Sequence, residues 1–118
     1  MNRAISGFHI LSILSEVDDN FAPSEGLVIV DYLKKNFPPH LFILDKEVEI
    51  LSTLKKADYM PHFTKCLEDF FKDSTEEERI KFVKFAVKVV MADHKVSKEE
   101  NIYLNELYNA WALDNNDF

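Results

Sequence analysis

Apolar residues recur along this chain at helical spacing almost from its first residue. Ile5, Phe8, Leu11 (with Ile10) and Leu14 predict a first helix over about residues 2–16. The segment from Val17 to Ala22 ends it. Pro23 then suits the first turn of a second helix, with Glu25 near the positive end of its dipole. That helix runs to about Asn36, where Pro38-Pro39 stops it. The run Leu27-Val28-Ile29-Val30 favours strand locally, because β-branched side chains suit a sheet. The proline start and the segment length decide for helix.

Further on, Leu41, Leu44, Val48 and Leu51 keep a three-to-four spacing between Pro39 and Lys56, either as one helix or with Asp45 capping a fresh one. Pro61 opens the next helix, which carries an apolar stripe of Phe63, Leu67, Phe70 and Phe71. Ser74 with Glu77 reads as a capping box that starts a long helix near Thr75. In that helix Lys81, Lys84 and Lys88 form one polar stripe and nearly everything else from Ile80 to Val90 is apolar, which predicts the centre of a bundle. Ser97 with Glu100 is a second capping box, starting a last helix to about Trp111. A polar tail, 113–118, follows.

One motif occurs twice, 75 positions apart. Asp18-Asp19-Asn20-Phe21-Ala22-Pro23-Ser24-Glu25 and Asp93-His94-Lys95-Val96-Ser97-Lys98-Glu99-Glu100 both read Asp, two residues, an apolar residue, three residues, Glu. The flanks keep the same offset: Ile5 with Ile80, Phe8 with Val83, Leu14 with Val89, Leu27 with Ile102, Leu33 with Tyr108. The pattern predicts two copies of a helix–acidic corner–helix unit, over about 5–36 and 80–111, within a single all-α domain of six or seven helices.

Composition narrows the function classes. A chain of 118 residues, 47% hydrophobic and with ten Phe, can bury one core. Only two Gly and four Pro leave little room for long linkers or low complexity. The net charge of −7, without a basic run interleaved with aromatics, argues against nucleic acid. Cys66 is the sole cysteine, which excludes an internal disulfide and a cysteine metal cluster and reads as a small core residue. The apolar start is interrupted by Ser6, His9 and Ser12 and does not read as a signal peptide, and no run reaches membrane-spanning length. These features predict a cytoplasmic protein. His9, His40 and His62 are far apart in sequence and are expected in structural roles.

The acidic corners admit two readings. As punctuation, Glu100 closes the cap begun by Ser97, Glu25 holds the equivalent place, and Asp18 and Asp93 satisfy turn amides. As chemistry, the stretch from Glu16 to Asp31 masses five carboxylates without one Lys or Arg, which invites a cation or a basic partner. Hard oxygen ligands suit calcium or magnesium, and His94 next to Asp93 adds a nitrogen that suits zinc or manganese. The candidate metal ligands are Asp18, Glu25, Asp93 and Glu100, with Asp19 and His94 as additions. Lys95 and Lys98 dilute the second copy. An EF-hand is excluded, because its upstream ligand positions fall on Val89 and Met91, and its turn glycine falls on His94.

The second motif, preceded by Val89-Val90-Met91-Ala92 and followed by Leu104 and Leu107, resembles the TerB-like family of tellurite-resistance proteins and DjlA-type co-chaperone N-terminal domains. The resemblance covers essentially the whole chain. It implies an all-helical, two-repeat fold, a link to metal or oxyanion stress, divalent-metal binding, and no established reaction. Where family members often have Gly after the Asp, this chain has Asp19 and His94. Three functions follow: a non-enzymatic TerB-like stress domain with a metal-binding acidic surface, a helical module for a basic or helical protein partner, and an enzyme using paired carboxylates. No glycine-rich phosphate loop, nucleophile elbow or Cys/His nucleophile pair supports the third.

Overall fold

The computed structural model describes residues 1–17, 23–37, 43–91 and 96–113, residues 23–26 as backbone only. Among these residues there are six α-helices and no strand: α1 (Arg3–Glu16), α2 (Pro23–Asn36), α3 (Leu44–Ser52), α4 (Tyr59–Asp73), α5 (Glu76–Met91) and α6 (Lys98–Ala110). A short 3₁₀ turn, Lys56–Asp58, leads into α4.

The first and last helix pairs keep the sequence offset. Helix α1 ends at Glu16 and α2 begins at Pro23; 75 residues later α5 ends at Met91 and α6 begins at Lys98. Burial follows the same pairing. Phe8 and Val83 face the core, as do Leu14 and Val89, while Leu27 and Ile102 both stand at the surface. In the β-branched run of α2, Ile29 is buried and Val28 is exposed, so helical geometry sorts that run between core and solvent.

Helix α1, not α5, is the centre of the bundle. It packs against all five other helices, and the buried side includes Ala4, Ser6, Gly7, His9 and Ser15 as well as its large apolar residues. Small residues let neighbours approach closely. A Cβ placed on Gly7 would lie 3.1 Å from the Phe82 ring and 3.3 Å from the Phe70 ring. Ser6 and Ser15 survive burial because each hydroxyl donates back to a backbone carbonyl, of Asn2 and Leu11 respectively. Helix α5 buries Phe82, Val83, Ala86, Val89 and Val90 but leaves Met91 exposed and Val87 only half-buried. Its apolar circumference exceeds its buried one.

An aromatic layer joins α4, α5 and α6 under α1. Phe70 stacks on Trp111 with ring centroids 5.0 Å apart and meets Phe82 at 4.5 Å. The Trp111 indole N–H donates to the Leu67 carbonyl at 2.9 Å, which satisfies its buried polar end. Phe71, expected in the same stripe, instead lies at the surface beneath the Arg79 guanidinium, 4.1 Å from the ring centroid.

The caps correct the expected boundaries in three places. The box before α5 is Thr75 with Glu78, not Ser74 with Glu77: the Thr75 N–H donates to Glu78 Oε1 at 2.9 Å, and the Glu78 N–H donates to Thr75 Oγ1 at 3.1 Å. The helix starts at Glu76, so its third position is Glu78, while Ser74 ends α4 with its hydroxyl donating to the Phe70 carbonyl. A fresh helix does begin before Asp45, but its N-cap is Ile43, which makes no side-chain cap, and Asp45 lies inside the first turn. Pro61 is the third residue of α4 rather than its start, still within the turn where a missing N–H costs nothing. The box of Ser97 with Glu100 stands as expected.

The chain end also departs from expectation. Leu113 is not part of a polar tail: it packs on the core, and its N–H donates to the Tyr108 carbonyl at 2.8 Å. With Ala112 at φ 53° and its N–H donating to Asn109, this closes α6 as a Schellman motif. Residues 114–118 lie outside the described residues.

Candidate functional site

Of the residues singled out for chemistry, Asp18, Asp19, Asp93 and His94 lie outside the described residues, and Glu25 is described only as backbone near the start of α2. Glu100 is placed. It is 1% exposed, and its Oε1 accepts the Ser97 N–H at 2.9 Å while its own N–H donates to Ser97 Oγ at 3.1 Å. That carboxylate serves the helix start, as the capping reading expects. The acidic approach to the other corner retains Glu16, the last residue of α1, exposed.

The structure assembles a second group that spacing along the chain did not suggest. His9 on α1, Glu47 on α3, and His62 and Cys66 on α4 meet where these three helices pack. His9 is 1% exposed and Glu47 4%. His9 Nε2 lies 2.9 Å from Glu47 Oε1, and His9 Nδ1 lies 2.8 Å from His62 Nε2. A carboxylate only accepts, so Nε2 of His9 carries a hydrogen and donates it to Glu47. One further proton is then shared between the two rings. Cys66 is fully buried beside them, one helical turn beyond His62 and therefore on the same side of α4. One ring nitrogen from each histidine and the Cys66 Sγ all lie within 4.8 Å of one another.

The electrostatics follow from burial. Desolvation pushes the His62 ring below the ordinary imidazole range; His9 and Lys65 push the same way and Asp69 opposes them. Burial pushes the Cys66 thiol up to about 12, with Asp69 adding to the shift. A thiol held protonated in this way is a weak nucleophile unless a cation takes the proton's place. The group could hold a metal ion by its donor set: two imidazole nitrogens and a sulfur, with a carboxylate behind one ring.

A separate cleft opens between α1, α3 and the approach to α4. It is about 190 Å³ and lined by Phe8, Ile13, Val48, Leu51 and Tyr59, with Glu16 at its edge. Val48, in this lining, leaves apolar surface exposed, as do Ile50 on α3 and Ile43 at its N-cap. Among the described helices none is long and apolar enough to cross a membrane.

Sequence reasoning placed the histidines in structural roles because His9 and His62 are 53 positions apart. The signal that was present is local: His62 and Cys66 are four residues apart on an amphipathic helix. His9, by contrast, was legible only as a polar interruption of the apolar first helix.

A family model described as "Tellurite resistance protein TerB" matches residues 8–118, essentially the whole chain. No curated protein and no solved structure matches.

Proposed function

Because the chain belongs to the TerB family, we propose that it is a non-enzymatic helical domain of the cellular response to metal and oxyanion stress, tellurite included. In this reading it works in the cytoplasm and binds a divalent cation through the acidic connection between α1 and α2. Asp18 and Glu25 are its principal ligands, Asp19 adds to them, and Asp93, His94 and Glu100 form the weaker counterpart. The observation that carries the reading is the conserved offset of the two helix pairs: both acidic motifs fall at the junction between an ending and a starting helix, 75 residues apart.

Chemistry favours the first copy. It has five carboxylates from Glu16 to Asp31 and no Lys or Arg, whereas Lys95 and Lys98 offset the second. Glu100 is buried with one oxygen given to a cap, so a cation there competes with the helix start. A bound divalent ion would neutralise part of the negative charge massed at the first junction, and oxygen donors suit a hard cation.

The test is thermal. A saturating divalent cation raises the melting temperature by mass action on the folded state. Asp18→Asn with Glu25→Gln removes that rise and leaves the metal-free protein folded, while Asp93→Asn with Glu100→Gln has a smaller effect on the rise. If the first pair lowers stability equally with and without metal, those carboxylates are caps and the cation reading fails.

A second reading has its own observation. The apolar cleft between α1 and α3, with the exposed Val48 in its lining, fits a helical protein partner and no metal. A Val48→Glu variant that folds normally and loses a co-purifying partner supports it; an unchanged set of partners refutes it.

A further inference from the structure

We propose that His9, His62 and Cys66 form a binding site for a zinc-class, thiophilic divalent cation, with Glu47 as the positioning residue behind His9. The site shares no residue with the acidic junctions and differs from them in chemistry, being nitrogen and sulfur rather than oxygen.

Three observations carry it. The first is convergence: one nitrogen of each ring and the sole sulfhydryl of the chain lie within 4.8 Å of one another, on two different helices. Tetrahedral zinc with Zn–N of about 2.0–2.1 Å and Zn–S of about 2.3 Å needs its ligand atoms about 3.3–3.6 Å apart. The two imidazole nitrogens, at 2.8 Å, open by about half an ångström, and the sulfur, within 4.8 Å of both, has at most about 1.2 Å to close. His62 is half-buried, so its ring has room to turn and gives the ion a way in from solvent.

The second is orientation. His9 Nε2 donates to Glu47, which leaves Nδ1 as the nitrogen turned toward His62. A carboxylate accepting from the far nitrogen of an imidazole is the arrangement that fixes the tautomer and raises the basicity of a metal-ligating histidine. Glu47 is itself buried, a costly place for a carboxylate whose only role is to accept from one ring.

The third is charge balance. With neutral rings, a divalent ion is matched by the Cys66 thiolate and the Glu47 carboxylate, so the buried group becomes neutral on loading. Loading displaces the thiol proton to solvent, moves the ring proton of His62 to its other nitrogen, and leaves the fourth tetrahedral position to water.

The test uses metal-free, reduced full-length protein titrated with Co²⁺ and with Zn²⁺. Since Cys66 is the single cysteine, a thiolate-to-cobalt charge-transfer band identifies this site unambiguously. The expected result is one such band, bleached by one equivalent of Zn²⁺. Cys66→Ala abolishes it. His62→Ala weakens zinc binding by at least about tenfold, and Glu47→Gln by about 10–100-fold, the range for an outer-shell partner. Circular dichroism establishes that each variant folds. The double change Asp18→Asn, Glu25→Gln leaves the band intact, which separates this site from the cation reading above. No band at saturating Co²⁺, or Zn²⁺ affinity unchanged in a folded Cys66→Ala protein, overturns the proposal.

Discussion

Gly7→Ala tests the placement of α1 at the centre of the bundle, because two opposing effects meet at one methyl group. In an exposed helix interior, replacing Gly by Ala stabilises by about 1 kcal/mol through backbone entropy and propensity. Gly7 is buried, and the new Cβ would lie 3.1 Å from Phe82 Cε2 and 3.3 Å from Phe70 Cε2. Both rings are fully buried and packed on each other and on Trp111, with centroid separations of 4.5 Å and 5.0 Å for Phe70. Neither has a flexible end to move, so relief must come from a shift of α1 against α4 and α5. Overpacking of this kind costs about 1–3 kcal/mol, which exceeds the propensity gain. The net expectation is destabilisation by up to about 2 kcal/mol. For a domain of this size each kcal/mol is about 3–6 °C of melting temperature. Gly7→Val should be clearly worse, since it adds two methyl groups more. The assay is chemical denaturation with the slope held constant, supported by melting curves. A Gly7→Ala protein stabilised by the full propensity gain would refute the close approach, and with it the central position of α1.

Four further outcomes follow from the structure. Thr75→Ala should cost about 1 kcal/mol in denaturant titration, as should Ser97→Ala, because each removes the side-chain acceptor of a capping box. Glu77→Gln should be nearly neutral by the same assay, since Glu77 is an exposed partner of Lys81 and not the cap residue; a Glu77→Gln cost matching that of Glu78→Gln would restore the earlier register. Val83→Asp should destabilise by roughly 3 kcal/mol or more through an unpaired buried charge, whereas the half-buried Val87→Asp should cost much less; equal costs would contradict the orientation of α5. Ala112→Gly should stabilise by about 0.5–1 kcal/mol, because glycine adopts the left-handed φ of 53° without strain, and a loss in melting temperature would refute the Schellman closure of α6.

Much of the architecture was legible in particular residues. Pro23 and Ser97 fixed the starts of α2 and α6, and the paired apolar positions from Phe8 with Val83 to Leu14 with Val89 all reach the core. The hydrophobic pattern points away from the true centre of the bundle for a physical reason. Apolar content favoured α5, but close packing on every side requires small residues, and Gly7, Ser6 and Ala4 weigh little in a hydrophobic pattern. The cap before α5 was ambiguous because Ser74 and Thr75 are adjacent, with glutamates at 76, 77 and 78; only the position of the first helical residue chooses between them. Phe71 fell outside its stripe because Arg79 provides a surface partner for the ring. The buried His9, Glu47, His62 and Cys66 group was the least legible, since three helices contribute to it and α1 lies far from α3 and α4 in sequence.

The central functional claim, a hard cation held by the acidic connection between α1 and α2, is tested most directly by amide correlation spectra of ¹⁵N-labelled protein during titration with Ca²⁺. The account predicts saturable shifts confined to the amides of residues 17–25, with smaller ones at 92–100, and their loss in the Asp18→Asn, Glu25→Gln protein. Shifts that fail to saturate, or that centre on other elements and persist in that variant, would contradict it.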